Sequence, residues 1–111
     1  MAEARFEVRL TEGAEDDLEA IHAWMTENRS SEEANLLLDK FLDAVATLER
    51  FPLRGSVPAE LDALGIAEYR QILLTPYRLI YRIIGATVFI MVIADGRRDM
   101  QTLLEFRLLR E

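Results

Sequence analysis

The chain has 111 residues, of which 50% are hydrophobic and 30% are charged, and it contains no cysteine. This length suits one domain with one core, and the lack of cysteine excludes disulfides, thiolate metal ligands and cysteine nucleophiles. The longest nearly apolar run, residues 83–94, is too short to cross a bilayer, and no export signal is visible at the N-terminus. We therefore expect a single domain over residues 1–111, located in the cytoplasm.

Charge is distributed unevenly along the chain, whose formal net charge is −7. Residues 1–64 carry 15 acidic and 6 basic side chains, a balance of −9, whereas residues 65–111 carry 5 acidic and 7 basic ones, a balance of +2. The first part should repel an anionic partner and the second should tolerate one. Solvated helix faces explain the acidic part, but they do not explain the clustered arginines of the second part.

The first half of the chain predicts a strand and two helices. Residues 5–10 alternate polar and apolar side chains with period two, which is typical of a half-buried strand. Thr11 is a predicted N-cap for a helix that runs to about residue 27. Ser30 and Glu33 form a capping-box pair before a second helix that ends near residue 50. Because few residues separate the two helices, we expect an antiparallel helical hairpin.

The second half predicts a sheet followed by a helix. Three strand candidates are joined by connections short enough for hairpins; they cover residues 69–74, 77–84 and 88–94. The last of these is apolar on both faces, which favours a central position in the sheet. Residues 96–111 form a C-terminal extension whose leucines recur at helical spacing. The expected order is β-α-α-β-β-β with a C-terminal helix, an α+β fold.

Few side chains suit catalysis or metal binding. The single histidine, His22, lies among acidic residues on the first helix, and without cysteine a histidine-based metal site is not expected. No motif for a serine nucleophile, a phosphate-binding loop or a zinc protease is present. Trp24 is interpreted as a core anchor. We expect neither a metal ion nor a cofactor.

The remaining candidates are arginines. Strand alternation places Arg78 and Arg82 on one face, and it places Tyr77, Leu79 and Tyr81 on the other. Planar guanidinium groups on one face can engage successive phosphates or carboxylates. Ion pairs with the acidic helices are the alternative explanation, and composition alone favours it.

The order of elements and several short motifs resemble the RelE/ParE superfamily of toxins from bacterial toxin–antitoxin modules. The resemblance covers about residues 5–104, and the superfamily's fold agrees with the expected order of elements. It rests on Leu10-Thr11 with Ala14, Asp17 and Leu18, on residues 48–52 before Gly55, on Tyr69-Arg70, and on residues 76–82 and 96–99.

This resemblance implies two alternative activities. RelE-like toxins cleave messenger RNA in the ribosome with basic residues and usually a C-terminal tyrosine, whereas ParE-like toxins poison DNA gyrase and lack that nuclease set. Arg78 and Arg98 match catalytic arginines of the RelE pattern. However, its strand lysines fall on Tyr69 and Gln71, and its tyrosine falls near Leu104. Because RNA cleavage needs several positive groups around the phosphorane, these departures favour the ParE-like branch and a binding protein rather than an enzyme.

The favoured target is accordingly DNA gyrase, and the acidic net charge also favours a protein target over direct binding to nucleic acid. The target-binding residues expected on this interpretation are Tyr77, Arg78, Arg82, Arg97 and Arg98. If the chain is instead a RelE-like nuclease, Arg78 and Arg98 are its catalytic residues. A non-toxic family member that only binds an antitoxin is the third alternative.

The resemblance also implies a cognate ParD-like antitoxin and a hetero-oligomer with it. Leu36, Leu38 and Leu42 widen the apolar stripe of the second helix and suit docking of a partner helix. Leu104 and Leu108 raise the same possibility near the C-terminus. For both groups, burial in the chain's own core is the alternative.

Overall fold

The computed structural model describes residues 5–109, so residues 1–4 and 110–111 of the expected domain lie outside the described part. In chain order the elements are β1 (Glu7–Leu10), α1 (Glu12–Asn28), α2 (Ser31–Arg50), α3 (Ala59–Asp62), β2 (Tyr69–Leu74), β3 (Tyr77–Ile84), β4 (Thr87–Asp95) and α4 (Met100–Leu104). A π-helical turn, Glu105–Leu109, continues α4, and residues 100–109 are together called the C-terminal segment. The predicted α+β order is confirmed, with α3 as an unpredicted addition. Within residues 5–109, no helix has the length and apolar character needed to span a membrane.

Both long helices begin at the predicted caps. The Ala14 amide donates to Thr11 Oγ1 at 3.2 Å, and the Glu33 amide donates to Ser30 Oγ at 3.0 Å. These bonds satisfy amides that have no partner within the helix. The helices form the predicted hairpin, whose inner side buries Phe41 against the sheet.

The four strands form one sheet in the order β1-β4-β3-β2. β1 pairs with β4 in parallel, and the other pairs are antiparallel. The predicted central position of the last strand is therefore confirmed. Between β3 and β4, Ile80 pairs with Val92 and Tyr81 pairs with Ile90, so Met91 is an extra residue on β4. This bulge follows directly after the last pair of β1 and β4, Leu10 with Ile90.

The sheet separates two hydrophobic clusters. α1 and α2 cover one face, where Leu79, Tyr81 and Ile90 are fully buried. α3 and the C-terminal segment cover the other face, where Val92 and Leu104 are fully buried. Because both faces are covered, β4 is apolar along both sides, as a strand buried on two faces must be.

The hydroxyl of Tyr81 anchors the loop after α2. It donates to the Pro52 carbonyl at 2.7 Å and accepts from the Gly55 amide at 3.0 Å. A Cβ atom at Gly55 would lie 2.5 Å from the Gln71 carbonyl oxygen, so only glycine fits there. This close approach fixes the loop that leads into α3.

Candidate functional site

A cleft of about 410 Å³ lies between α1 and the end of the sheet where β3 begins and β4 finishes. We call it the Trp24 cleft. Its lining includes Asp17, Ile21 and Trp24 from α1, Tyr77 from β3, Ile93, Ala94 and Asp95 from β4, and Arg97 and Arg98 from the following turn. The sheet register pairs Tyr77 with Asp95, which brings the two strands' contributions together.

Trp24 is 56% exposed, so its interpretation as a core anchor is wrong. The apolar stripe of α1 that faces the sheet runs through Ala14, Leu18 and Ile21. Trp24 lies at the margin of this stripe, because it follows Ile21 by three positions and therefore points about 60° to one side of it. Its indole therefore forms part of the cleft wall, a role that the sequence reasoning missed.

Asp95 is held by its own turn. Its carboxylate accepts from Arg97 Nη2 at 2.6 Å, from Arg97 Nε at 3.0 Å and from the Arg97 amide at 2.9 Å. These bonds lower the pKa of Asp95 to about 2. Burial, together with the Asp95 charge, raises the pKa of Tyr77, against the opposing charges of Arg97 and Arg29. At neutral pH the cleft thus holds an ionised Asp95 beside a neutral phenol.

Asp17 is likewise occupied within the chain. Its two oxygens accept from Arg107 Nη1 and Nη2, each at 3.0 Å, and one of them also accepts from the Ile93 amide at 3.0 Å. In contrast, no group in the described part of the chain hydrogen-bonds the exposed guanidinium of Arg98. Within residues 5–109, the cleft therefore has two acids that arginines of the chain already bind, and at its rim one exposed guanidinium that makes no hydrogen bond.

Arg78 lies on the opposite face of the sheet from the cleft. Its Nε donates to Gln71 Oε1 at 2.7 Å, and its Nη1 and Nη2 donate to the two carboxylate oxygens of Glu60 at 2.8 Å. The Arg78 side chain is 12% exposed. Its guanidinium lowers the pKa of Glu60. An ion pair was the alternative explanation for this arginine, but the acid comes from α3 rather than from α1 or α2.

Arg82 lies further along the same face as Arg78, with its guanidinium 5.7 Å from the centre of the Tyr69 ring. The structure therefore divides the predicted target-binding set. Tyr77, Arg97 and Arg98 meet at the Trp24 cleft, whereas Arg78 and Arg82 are engaged on the other side of the sheet.

The predicted antitoxin-binding leucines also differ in their surroundings. Leu36 and Leu42 are 61% and 54% exposed on α2. Leu38 is partly buried and lines a groove between α1 and α2. Leu104 is fully buried and Leu108 is partly buried in the second core cluster, so own-core burial describes both. Leu36 and Leu42 remain open to a partner.

Side chains that could bind a metal ion are sparse among the described residues. His22 is partly buried, and its Nε2 lies 3.1 Å from Asn35 Oδ1. Residues 5–109 contain no cluster of three or more histidine, aspartate or glutamate side chains placed to hold a metal ion. The polar and aromatic groups that the Trp24 cleft offers to a ligand are those of Trp24, Tyr77, Asp17, Asp95 and its arginines.

Comparison with known proteins places this fold. No match was found among curated proteins. The chain is similar to a chain of the chromosomal ParDE toxin–antitoxin system from P. aeruginosa, with 21% identity, a TM-score of 0.68, and coverage of 83% of this chain and 97% of that chain. It is also similar to a chain of the toxin–antitoxin complex RelBE2 from Mycobacterium tuberculosis, with 24% identity, a TM-score of 0.56, and coverage of 83% and 92%. At these sequence identities, the similarity of the structures shows a common fold.

A family model described as the ParE toxin of type II toxin–antitoxin systems, parDE, matches residues 8–100. Because that match spans most of the chain, the chain belongs to the ParE toxin family of type II toxin–antitoxin systems.

Proposed function

We propose that this toxin inhibits DNA gyrase by binding it, and that it does so without cleaving RNA. The observation that carries the proposal is the state of Arg78, whose three guanidinium nitrogens are all hydrogen-bonded within the chain. Catalysis of RNA cleavage needs cations that are free to stabilise charge as it develops on the phosphate. Arg78 is not free in this way, which supports binding over catalysis.

The positions that match the RelE lysines also have structural roles. Tyr69 is buried beneath Arg82, and Gln71 holds the Nε of Arg78. Arg98 is then the one matched arginine with an unpaired guanidinium in the described residues. One exposed arginine supplies neither a general base nor the several positive groups that this chemistry needs.

An antitoxin partner belongs to the same proposal. The similar structures from P. aeruginosa and M. tuberculosis are both toxin–antitoxin systems. We infer that a cognate ParD-like antitoxin neutralises this chain in the cytoplasm and contacts the exposed Leu36 and Leu42 of α2. Large apolar side chains exposed on a helix suit contact with an amphipathic partner helix.

A supercoiling assay with purified protein and gyrase tests the proposed target. We expect inhibition and accumulation of cleaved DNA–gyrase complex at micromolar protein. Arg98→Ala should weaken inhibition, because it removes the exposed guanidinium of the Trp24 cleft, whereas Arg9→Ala on β1 is the matched control. Unimpeded supercoiling by the unmodified protein would contradict the proposal. Full inhibition by Arg98→Ala would instead show that the target-binding surface lies outside the cleft.

The alternatives have their own readouts. Messenger RNA in a translation reaction should stay intact in the presence of the protein. Codon-linked cuts that disappear in Arg78→Ala would establish a RelE-like nuclease instead. Unimpeded growth on expression of the chain alone would establish a non-toxic antitoxin-binding protein.

A further inference from the structure

The Trp24 cleft combines an apolar floor with room for a side chain from outside. Ile21, Trp24 and Ala94 contribute apolar surface to its lining. Its volume of about 410 Å³ falls within the roughly 300–1,000 Å³ that ligand-binding pockets span. The exposed Trp24 extends this apolar surface, and a contiguous apolar surface with a polar rim is typical of places where partners bind.

The rim of the cleft is positive although the chain as a whole is acidic. Asp17 and Asp95, the two acids of the lining, are both occupied by arginines of the same chain. The guanidinium of Arg98 is exposed and makes no hydrogen bond within residues 5–109, while its charge acts on Asp95 at the same end of the cleft. Arg29 is also exposed and lies close enough for its charge to act on Tyr77. With a net charge of −7, the molecule attracts an acidic group mainly at such a local positive site.

We propose that the Trp24 cleft binds an acidic segment of the toxin's target protein that carries one large apolar anchor residue. The anchor packs against Trp24 and Tyr77, and a neighbouring carboxylate of the segment binds Arg98. This inference rests on the proposed function, in that the segment belongs to the protein that the toxin inhibits. Buried tryptophan and arginine contacts supply a large share of the binding energy at protein interfaces.

A peptide fits this cleft better than a nucleic acid does. One wall of the cleft is α1, whose first turn carries Glu12 and Glu15 and whose sequence balance is acidic. A phosphate backbone requires several cationic contacts in succession to overcome such a field. An acidic peptide needs only one or two cations beside an apolar pocket, which is what the cleft offers.

Trp24 is the single tryptophan of the chain, so its fluorescence reports directly on occupancy of the cleft. The probe is a synthetic, tryptophan-free peptide with a central phenylalanine between aspartates. We expect a saturable blue shift of the Trp24 emission on titration. Replacing the aspartates by lysines, or the phenylalanine by alanine, should weaken binding roughly tenfold or more.

Variants of the full chain make the test specific. Arg98→Ala should weaken peptide binding roughly tenfold, because a charge-assisted contact is lost at a partly desolvated site. Arg9→Ala should leave binding unchanged, since Arg9 is an exposed residue of β1 that pairs with Glu7. Excess aspartate peptide should also relieve gyrase inhibition.

Three results would overturn the inference: no saturable change in emission at millimolar peptide, equal binding of the lysine peptide, or unchanged binding by Arg98→Ala. These results are separable from the gyrase assay. Peptide binding without gyrase inhibition would refute the proposed target and leave the chemistry of the cleft intact. Gyrase inhibition that survives Arg98→Ala, together with no peptide binding, would refute the proposed role of the cleft and would leave gyrase as the proposed target.

Discussion

At the level of single residues, the Arg78–Glu60 pair joins β3 to α3 on the face of the sheet that α3 and the C-terminal segment cover. The two side chains are 12% and 25% exposed and meet through two parallel hydrogen bonds of 2.8 Å. Bidentate geometry of this kind fixes orientation as well as charge. The pair therefore holds α3 against the sheet, where Leu61 is fully buried.

Removal of the acid should destabilise the fold in a pH-dependent way. At neutral pH, Glu60→Gln should lower the free energy of unfolding by about 1–2 kcal/mol, because a shielded guanidinium loses its counter-charge. The pKa of Glu60 is lowered in the folded state from its usual 4.5, so the contribution is present above that pH and is lost as pH falls through the lowered value. Urea denaturation across this range measures the difference between the two proteins.

The exposed Glu68 provides the control for that series. Glu68→Gln should change the free energy of unfolding little at any pH, since surface charges contribute little alone. A Glu60→Gln deficit that stays constant down to pH values at which Glu60 of the unmodified protein is protonated in both its folded and its unfolded state would contradict the assigned role.

At the level of elements, the outer edge of β4 is completed by side chains rather than by a strand. β1 ends at Leu10, opposite Ile90, and leaves the backbone beyond it without a strand partner on that side. Asp17 accepts from the Ile93 amide, and Arg107 donates to the Met91 carbonyl at 3.0 Å. These contacts satisfy backbone groups that burial would otherwise leave unpaired.

The same contacts attach the C-terminal segment to α1. Arg107 binds Asp17 at 3.0 Å through both terminal nitrogens. A Cβ atom at Gly13 would lie 2.6 Å from Arg107 Nη2, so a glycine at this position leaves room for the guanidinium. One carboxylate therefore links α1, β4 and the C-terminal segment.

Asp17→Asn should weaken this junction. We expect the free energy of unfolding to fall by about 2 kcal/mol, and a double-mutant cycle with Arg107→Gln should give a coupling energy of about 1–2 kcal/mol. Hydrogen exchange of the Ile93 amide should become faster, because its acceptor loses charge and alignment. Asp16→Asn, at the adjacent exposed position, is the matched control. Unchanged exchange at Ile93 in Asp17→Asn would contradict the role given to this carboxylate.

Features encoded by short-range patterns could be predicted from the sequence, and features that depend on distant contacts could not. The caps at Thr11 and Ser30 bond amides three residues away, and the strands follow local alternation. α3 is only four residues long and depends on an ion pair from Glu60 to a residue 18 positions later. The Trp24 cleft joins α1 to the turn after β4. Its arginines were identified, but the exposure of Trp24 and the engagement of Arg78 depend on tertiary packing.

At the level of the whole molecule, the two proposed interaction surfaces differ in position and chemistry. Leu36 and Leu42 are exposed on the acidic hairpin, whereas the Trp24 cleft has a positive rim at one end of the sheet. Surfaces made of different residues can be altered separately. Antitoxin binding and target binding should therefore respond to different substitutions.

The double variant Leu36→Ala/Leu42→Ala should weaken binding of the cognate antitoxin by about 2–3 kcal/mol, since two apolar contacts are removed. Its inhibition of gyrase should be unchanged. Isothermal titration calorimetry and the supercoiling assay measure the two properties. Leu73→Ala removes a comparably exposed leucine from β2 and is the control for antitoxin binding. Equal losses in both properties for the double variant would show that the surfaces overlap.

The parallel pairing of β1 with β4 has a consequence for protein synthesis. Val8 lies opposite Val88, so the first strand reaches its neighbour only after most of the chain has been translated. The Trp24 cleft is completed still later, because Arg97 and Arg98 follow β4. Contacts between such distant residues form late in folding, because the intervening chain must be synthesised and ordered before these contacts can stabilise the fold. A nascent polypeptide therefore lacks the completed Trp24 cleft, the proposed target-binding surface, until Arg97 and Arg98 have been translated and β4 has paired with its neighbours.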